Sequence, residues 1–310
     1  MNSVGRTAKR WTVALVCAVA VGFLVLNAWA SATVYPVGME YELIQDAINV
    51  AAAGSTIVIS EGTYRENLTI SKPLTIVGCG EVILIPEDRG TPAISVSDTA
   101  DVAIHALHIQ SAFKGIDADR STIRIIDCSF HTTEVGVEAV LMDANLVLIQ
   151  HCTFTGERDG VLIAGSGTVE IVHCEFLGMG TSASLNGLTS VLVLDCTFRD
   201  SHDSIALSSS VKATLIGNQI HGSTGRGIRV GPALYDYFDG PLVLINNVIE
   251  NSTQWGLSLC HIHDADVLTF TGVLMGFGNV IDNEDLLCPI DYDWPEGFFV
   301  DTEPDQAGDG

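Results

Sequence analysis

Ile123–Phe130 reads IRIIDCSF, and the same phrase returns five more times: LVLIQHCTF at Leu146–Phe154, VEIVHCEF at Val169–Phe176, VLVLDCTF at Val191–Phe198, ATLIGNQI at Ala213–Ile220 and LVLINNVI at Leu242–Ile249. The residue two before the last apolar one is Cys128, Cys152, Cys174, Cys196, Asn218 and Asn247, and these anchors are 24, 22, 22, 22 and 29 residues apart. A self-similar period near 22 is the signature of a stacked repeat protein, in which one unit cannot bury its apolar face and a stack of units can.

Within each unit the apolar residues stand five and three positions before the anchor, at the anchor, and two after it, as in Val191, Val193, Cys196 and Phe198. Alternation on both sides of the anchor means two short strands with one face inward, and the break in phase just before it means a bend. A third apolar pair follows eight to ten residues later, at Val137/Ala139, Val161/Ile163, Ile205/Leu207, Ile228/Val230 and Leu257/Leu259. Three strands in about 22 residues leave no room for the helical crossover of a βαβ unit. The expected fold is all-β, a single-stranded parallel β-helix of about nine or ten coils. Coils stack about 4.8 Å apart, so equivalent positions form rows along the axis. The anchor row is Cys128, Cys152, Cys174, Cys196, Asn218 and Asn247, with Asn279 after it and Leu107 and Cys79 before it. Cysteine serves there as a small apolar filler, and asparagine can hydrogen-bond along the stack.

Residues 1–32 have the build of a signal peptide. Arg6, Lys9 and Arg10 precede the apolar run Trp11–Leu26, and small-residue cleavage sites stand at Ala28–Ala30 and Ala30–Ala32. That run is short for a membrane span, so cleavage and export to the periplasm, cell surface or medium are expected, with no membrane attachment afterwards. The remaining chain of about 280 residues suits one β-helix domain over 33–281 and an acidic tail over 282–310, and a monomer is expected. Loss of the three basic residues takes the formal net charge from −24 to −27, a surface that repels nucleic acid. In an exported chain, bridges Cys128–Cys152 or Cys174–Cys196 are open alongside a row of free thiols, and Cys260 with Cys288 is the better-suited pair. Glu42–Ala53 is the one amphipathic helix, read as a cap over the open strand edges before a first strand at Thr56–Ser60.

YELIQDAINVAAAGSTIVISEGTYRENLTISKPLTIVGCG at Tyr41–Gly80 resembles the opening segment of right-handed parallel β-helix proteins of the pectin-lyase-like superfamily, including NosD-like proteins and those with carbohydrate-binding/sugar-hydrolase domains. The resemblance implies a right-handed coil with an N-terminal capping helix. It leaves activity open, because this fold hosts many functions. Three readings follow: a non-catalytic module that binds carbohydrate or another extended ligand, a polysaccharide lyase or glycoside hydrolase, and a periplasmic metal-handling protein of the NosD-like type. The first is preferred, with polysaccharide as partner. The pectin methylesterase motifs Asp-Phe-Ile-Phe-Gly and Gly-Arg-Pro-Trp are absent, and of the polygalacturonase motifs only His221-Gly222 is present. GTYREN at Gly62–Asn67 reads structurally, with Tyr64 filling the first coil and Arg65 and Glu66 in solvent.

Four groups of residues carry chemistry. Asp127, His151, His173 and Asp195 immediately precede successive anchors and would line one bend, a donor set that suits zinc or copper. The insertion Gly231–Gly240 places Tyr235 and Tyr237 among Asp236 and Asp239, rings for a sugar face and carboxylates for its hydroxyls or for calcium. Asp159 and Asp203, with His202, are candidates for acid–base work, against a reading as solvated turn residues. His261 and His263 are an alternate-residue pair, read first as a polar turn. Asn67 and Asn251 begin sequons that matter only in a eukaryotic secretory host.

Overall fold

The computed structural model describes residues 33–97, 101–208, 212–231, 241–259, 273–281 and 286–287. Every strand pairing among them is parallel, as between Leu146–Gln150 and Thr168–Val172 or Asp159–Gly165 and Thr181–Asn186. The chain winds as a right-handed β-solenoid of about nine turns. Each regular turn contributes three strands. The first sheet stacks Ile123–Ile126, Leu146–Gln150, Thr168–Val172, Ser190–Leu194, Lys212–Ile216, Pro241–Ile245 and Val273–Phe277. The second stacks Thr153–Gly156, Glu175–Leu177, Thr197–Arg199, Gln219–His221, Val248–Glu250 and Val280–Ile281. The third stacks Asp159–Gly165, Thr181–Asn186, Asp203–Ser208, Arg226–Val230, Trp255–Ser258 and Leu286–Leu287.

The bend between the first two sheets explains the broken phase of the repeat. The residue before each anchor holds a left-handed backbone: φ is 54° at Asp127, 51° at His151, 52° at His173, 50° at Asp195 and 52° at Asn246, with Gly217 and Gly278 in the same row. Aspartate, asparagine and glycine tolerate that conformation best. It swings the next residue inward, so every anchor is buried. A β-carbon at Gly217 would lie 2.2 Å from Asp195 Oδ1, so a side chain there would require the Asp195 carboxylate to swing aside.

Inside, like stacks on like. Phe130, Phe154, Phe176 and Phe198 are buried, with adjacent rings 4.7 to 4.8 Å apart and within 6° of parallel. Gly136 faces this stack, where a β-carbon would come within 2.6 Å of the Phe154 ring. Cys128, Cys152, Cys174 and Cys196 are free thiols. Each donates its S–H to the carbonyl two residues back, at 3.2 to 3.3 Å. The row then changes chemistry without changing place: the Cys196 N–H donates to Asn218 Oδ1 at 3.0 Å, and Asn218 and Asn247 donate through Nδ2 to the next asparagine's Oδ1 at 2.9 and 3.0 Å. Cys79, expected earlier in the row, is buried and disulfide-bonded, unlike the four free thiols. Cys260 and Cys288 themselves lie outside the described residues.

The N-terminal end differs from the sequence expectation in three respects. The first strand, β1, is Val34–Val37 and pairs with Thr56–Ile59, so the helix falls between two strands rather than before the first. That helix, α1, spans only Ile44–Val50, and Leu43 gives its N-terminus no side-chain cap. Glu66 supplies one from the next coil. It is buried, not solvated, and its two carboxylate oxygens accept the Ile44 and Gln45 N–H groups at 2.9 Å each. The Asn67 amide of the first sequon is likewise engaged, donating to Asp88 O and Pro92 O at 2.9 Å.

Candidate functional site

The third sheet presents an outward row whose register runs Asp159, Thr181, Asp203, Arg226, Trp255. It gathers the acid–base candidates with residues the sequence reading passed over. Asp203 is not a solvated turn residue. It lies within Asp203–Ser208 and is 4% exposed. Its Oδ1 accepts from the Arg226 backbone N–H at 3.1 Å and from Arg226 Nε at 3.2 Å, and its Oδ2 accepts from Arg229 Nε at 3.1 Å. A buried carboxylate needs such partners, since an uncompensated buried charge is strongly destabilising. Arg226 and Arg229 both reach Asp203 from the next rung through Nε, and their side chains stay 27% and 20% exposed. Trp255, half-buried, is the next outward residue in the row.

Asp159 stands two rungs from Asp203, on the order of 10 Å at the usual strand spacing, with Thr181 between them. Burial, the largest influence, pushes its carboxyl above the ordinary range; Arg158 and a hydrogen bond from Thr181 act against it. His202, the third member of that group, is exposed and faces Thr224 Oγ1 at 3.3 Å. Nothing in the sequence period distinguished Arg226, Arg229 and Trp255. Arg229 alone could be placed from the period: it stands between the inward residues Ile228 and Val230 and so faces outward, beside Ala206 of the preceding coil.

The second constellation is the bend row. Asp127, His151, His173 and Asp195 do follow one another on successive rungs, and their shared left-handed backbone sends the four side chains out in the same direction. The His151 and His173 rings lie parallel to within 13°, centroids 5.3 Å apart. His151 Nδ1 is 3.5 Å from Asp127 Oδ1, and His173 Nδ1 is 3.9 Å from Asp195 Oδ2. The four form a ladder and do not converge on one point. Among the described residues no group of three or more His, Cys, Asp or Glu side chains is gathered so as to hold a metal ion. Tyr235, Asp236, Tyr237 and Asp239 lie outside the described residues, as do His261 and His263.

The thiol row is interior. Cys152 and Cys196 are pushed up, first by the hydrogen bond each shares with a neighbouring thiol, Cys128 and Cys174 respectively, and then by burial. Hydrogen bonds from Cys152 and Cys196 draw Cys174 the other way. Each of the four thiols is buried and donates to a carbonyl of its own bend, so the row serves as packing.

A family model described as the right handed beta helix region matches residues 92–231 and 159–272, together more than half of the chain. Among solved structures, the chain is similar to pectin methylesterase PemA from Erwinia chrysanthemi at 14% identity and a TM-score of 0.47, covering 84% of this chain and 94% of that one. It is similar to the polygalacturonase from Erwinia carotovora ssp. carotovora at 10% identity and a TM-score of 0.48, covering 86% of this chain and 98% of that one. The pectin methylesterase from Aspergillus niger in deglycosylated form gives 15% identity and a TM-score of 0.40, covering 82% of this chain and 86% of that one. Likeness of this degree says nothing of activity. No curated protein matches the sequence. On the family match and the coil that carries it, the chain belongs to the right-handed β-helix family.

Proposed function

We propose that the protein is an exported, non-catalytic module that binds carbohydrate or a similar extended polymer on the third sheet, around Arg226, Arg229 and Trp255. The observation that carries this reading is the state of Asp203. The carboxylate best placed for acid–base work on that face is buried, and both of its oxygens are occupied by Arg226 and Arg229. What remains outward is a binding chemistry: guanidinium N–H donors for hydroxyl or carboxylate oxygens, and an indole ring for an apolar sugar face. Stacked coils repeat each outward position about every 4.8 Å, which suits a ligand lying along the axis. In the chain, the insertion with Tyr235 and Tyr237 comes a few residues after Arg229. Export is supported by the basic, apolar and small-residue pattern of residues 1–32.

A glycan array probed with the purified protein, with and without calcium, tests this, with mass spectrometry of the released fraction. The expected result is retention of an intact glycan, with Trp255→Ala or Arg226→Ala reducing retention about tenfold or more, the loss of one good contact cluster. Steady release of shortened, unsaturated or de-esterified products, stopped by Asp159→Asn or Asp203→Asn, would replace the binding reading with an enzymatic one. Absence of any retained glycan sinks both the ligand class and the site.

A further inference from the structure

The bend row holds two features that carbohydrate binding does not use. The His151 and His173 imidazoles are stacked face to face at 5.3 Å. Each also turns Nδ1 toward a carboxylate on the rung outside the pair, Asp127 for His151 and Asp195 for His173. At 3.5 and 3.9 Å these are electrostatic contacts longer than a hydrogen bond. A carboxylate on the Nδ1 side favours the tautomer that carries its proton there and leaves the lone pair on Nε2. The ring nitrogen away from the carboxylate is then the ligand, which is the usual arrangement of a metal-binding histidine with its outer carboxylate.

We propose that His151 and His173 form a two-imidazole site for a divalent transition-metal ion of the Cu2+, Ni2+ or Zn2+ class. Asp127 and Asp195 are positioning residues of this site, not ligands. This explains why the four side chains form a ladder and not a cage. The donor set selects the ion class, because neutral imidazole suits these metals and not calcium or magnesium. Two nitrogens each about 2.0–2.1 Å from one ion must lie roughly 3–4 Å apart, so the rings tilt toward each other from their stacked separation. They have room to do so, with side chains 50% and 46% exposed. Water completes the coordination. The backbone holds the two Cα–Cβ bonds parallel, with φ of 51° and 52°, so the rings are paired before any ion arrives. A formal net charge of −24 raises the local concentration of cations at such a surface.

The test is a titration of the purified protein with Cu2+ alone, followed by calorimetry and by electron paramagnetic resonance. One Cu2+ per chain is expected, with nitrogen couplings from two imidazoles. His151→Asn and His173→Asn keep the left-handed bend, since Asn246 occupies the same row at φ 52°. Each is expected to weaken binding at least tenfold, and the pair together to abolish the two-nitrogen signal. Asp127→Asn with Asp195→Asn is expected to weaken binding about 10- to 100-fold while leaving the two-nitrogen signal in place, as loss of outer carboxylates does, and glutamate at both positions to restore it. Undiminished binding and an unchanged spectrum in the His151→Asn/His173→Asn protein would overturn the proposal and send the search to His261 and His263. If a variant does not fold, broadening of the His151 and His173 ring-proton resonances of the native protein by Cu2+ is the equivalent reading, and its absence overturns the proposal equally.

Discussion

At the scale of single residues, the stack tolerates what a row can absorb and rejects what it cannot. Cys174 and Asn218 occupy equivalent inward positions, and the hydrogen bond from Cys196 N–H to Asn218 Oδ1 shows that the row passes from sulfur to amide within one rung. Cys174→Asn is therefore expected to fold with a melting temperature within a few degrees of the parent, whereas Cys174→Arg buries an unpaired charge and is expected to yield no soluble native protein. Calorimetry of the two variants checks this, and equal loss in both would mean that the row does not accept asparagine at that rung. Asp159 offers a test by pH. Its carboxyl is held above the ordinary range, chiefly by burial, so the folded chain keeps this proton longer than the unfolded chain does. The stability that follows is full below the ordinary carboxylate range and is lost as pH rises through the folded value. Asp159→Asn removes that loss. The variant is expected to melt higher than the parent at pH 7, and the difference to shrink toward nothing near pH 3. A lower melting temperature at pH 7 would mean that Arg158 and Thr181 outweigh burial.

At the scale of elements, α1 depends on a residue from another coil. Seven residues are too few to form a stable helix alone, and Leu43 offers no cap. The Glu66 carboxylate takes up two of its open N–H groups and places a negative charge at its N-terminus. Glu66→Ala is expected to destabilise the protein by about 1–2 kcal/mol and to expose the N-terminal coil to protease first, while Arg65→Ala next to it, exposed at the end of the strand Ser55–Arg65, is expected to change little. Urea titrations of the two variants, with the first cleavage sites mapped, decide it. Equal effects from Glu66 and Arg65 would remove the cap from this account. The pairing of Glu66 with α1 was not legible in GTYREN. The segment alternates as a strand, and its polar positions gave no sign that one of them meets a helix some twenty residues earlier.

At the scale of the whole molecule, each coil touches the coils before and after it, so stability is close to a sum of rungs and their interfaces. Removal of residues 175–196 joins Cys174 to Thr197, which stands in register with Glu175 one rung later. The shortened chain is expected to fold with the same β-dominated circular dichroism and a lower melting temperature, and to show one thiol fewer on titration after denaturation. A disordered product would mean that the stack carries a long-range requirement that nearest neighbours do not supply.

The solenoid, its three inward faces, the anchor row and the bend are legible in the chain, because each follows from a local period of apolar residues, and identical units can satisfy that period only by stacking on one another. The repeat also placed Asp127, His151, His173 and Asp195 on successive rungs, since a single offset from the anchor is enough to align them. Tertiary structure alone decided which way those side chains turn, so that the carboxylates face Nδ1 and the imidazoles pair with each other. It alone set Arg226 and Arg229 against Asp203, and Glu66 against the helix. These contacts join positions whose alternation is the same whether they meet solvent or a charge from the next coil. Hydrophobic period reports which face is buried, and charge pairing across rungs leaves no period of its own.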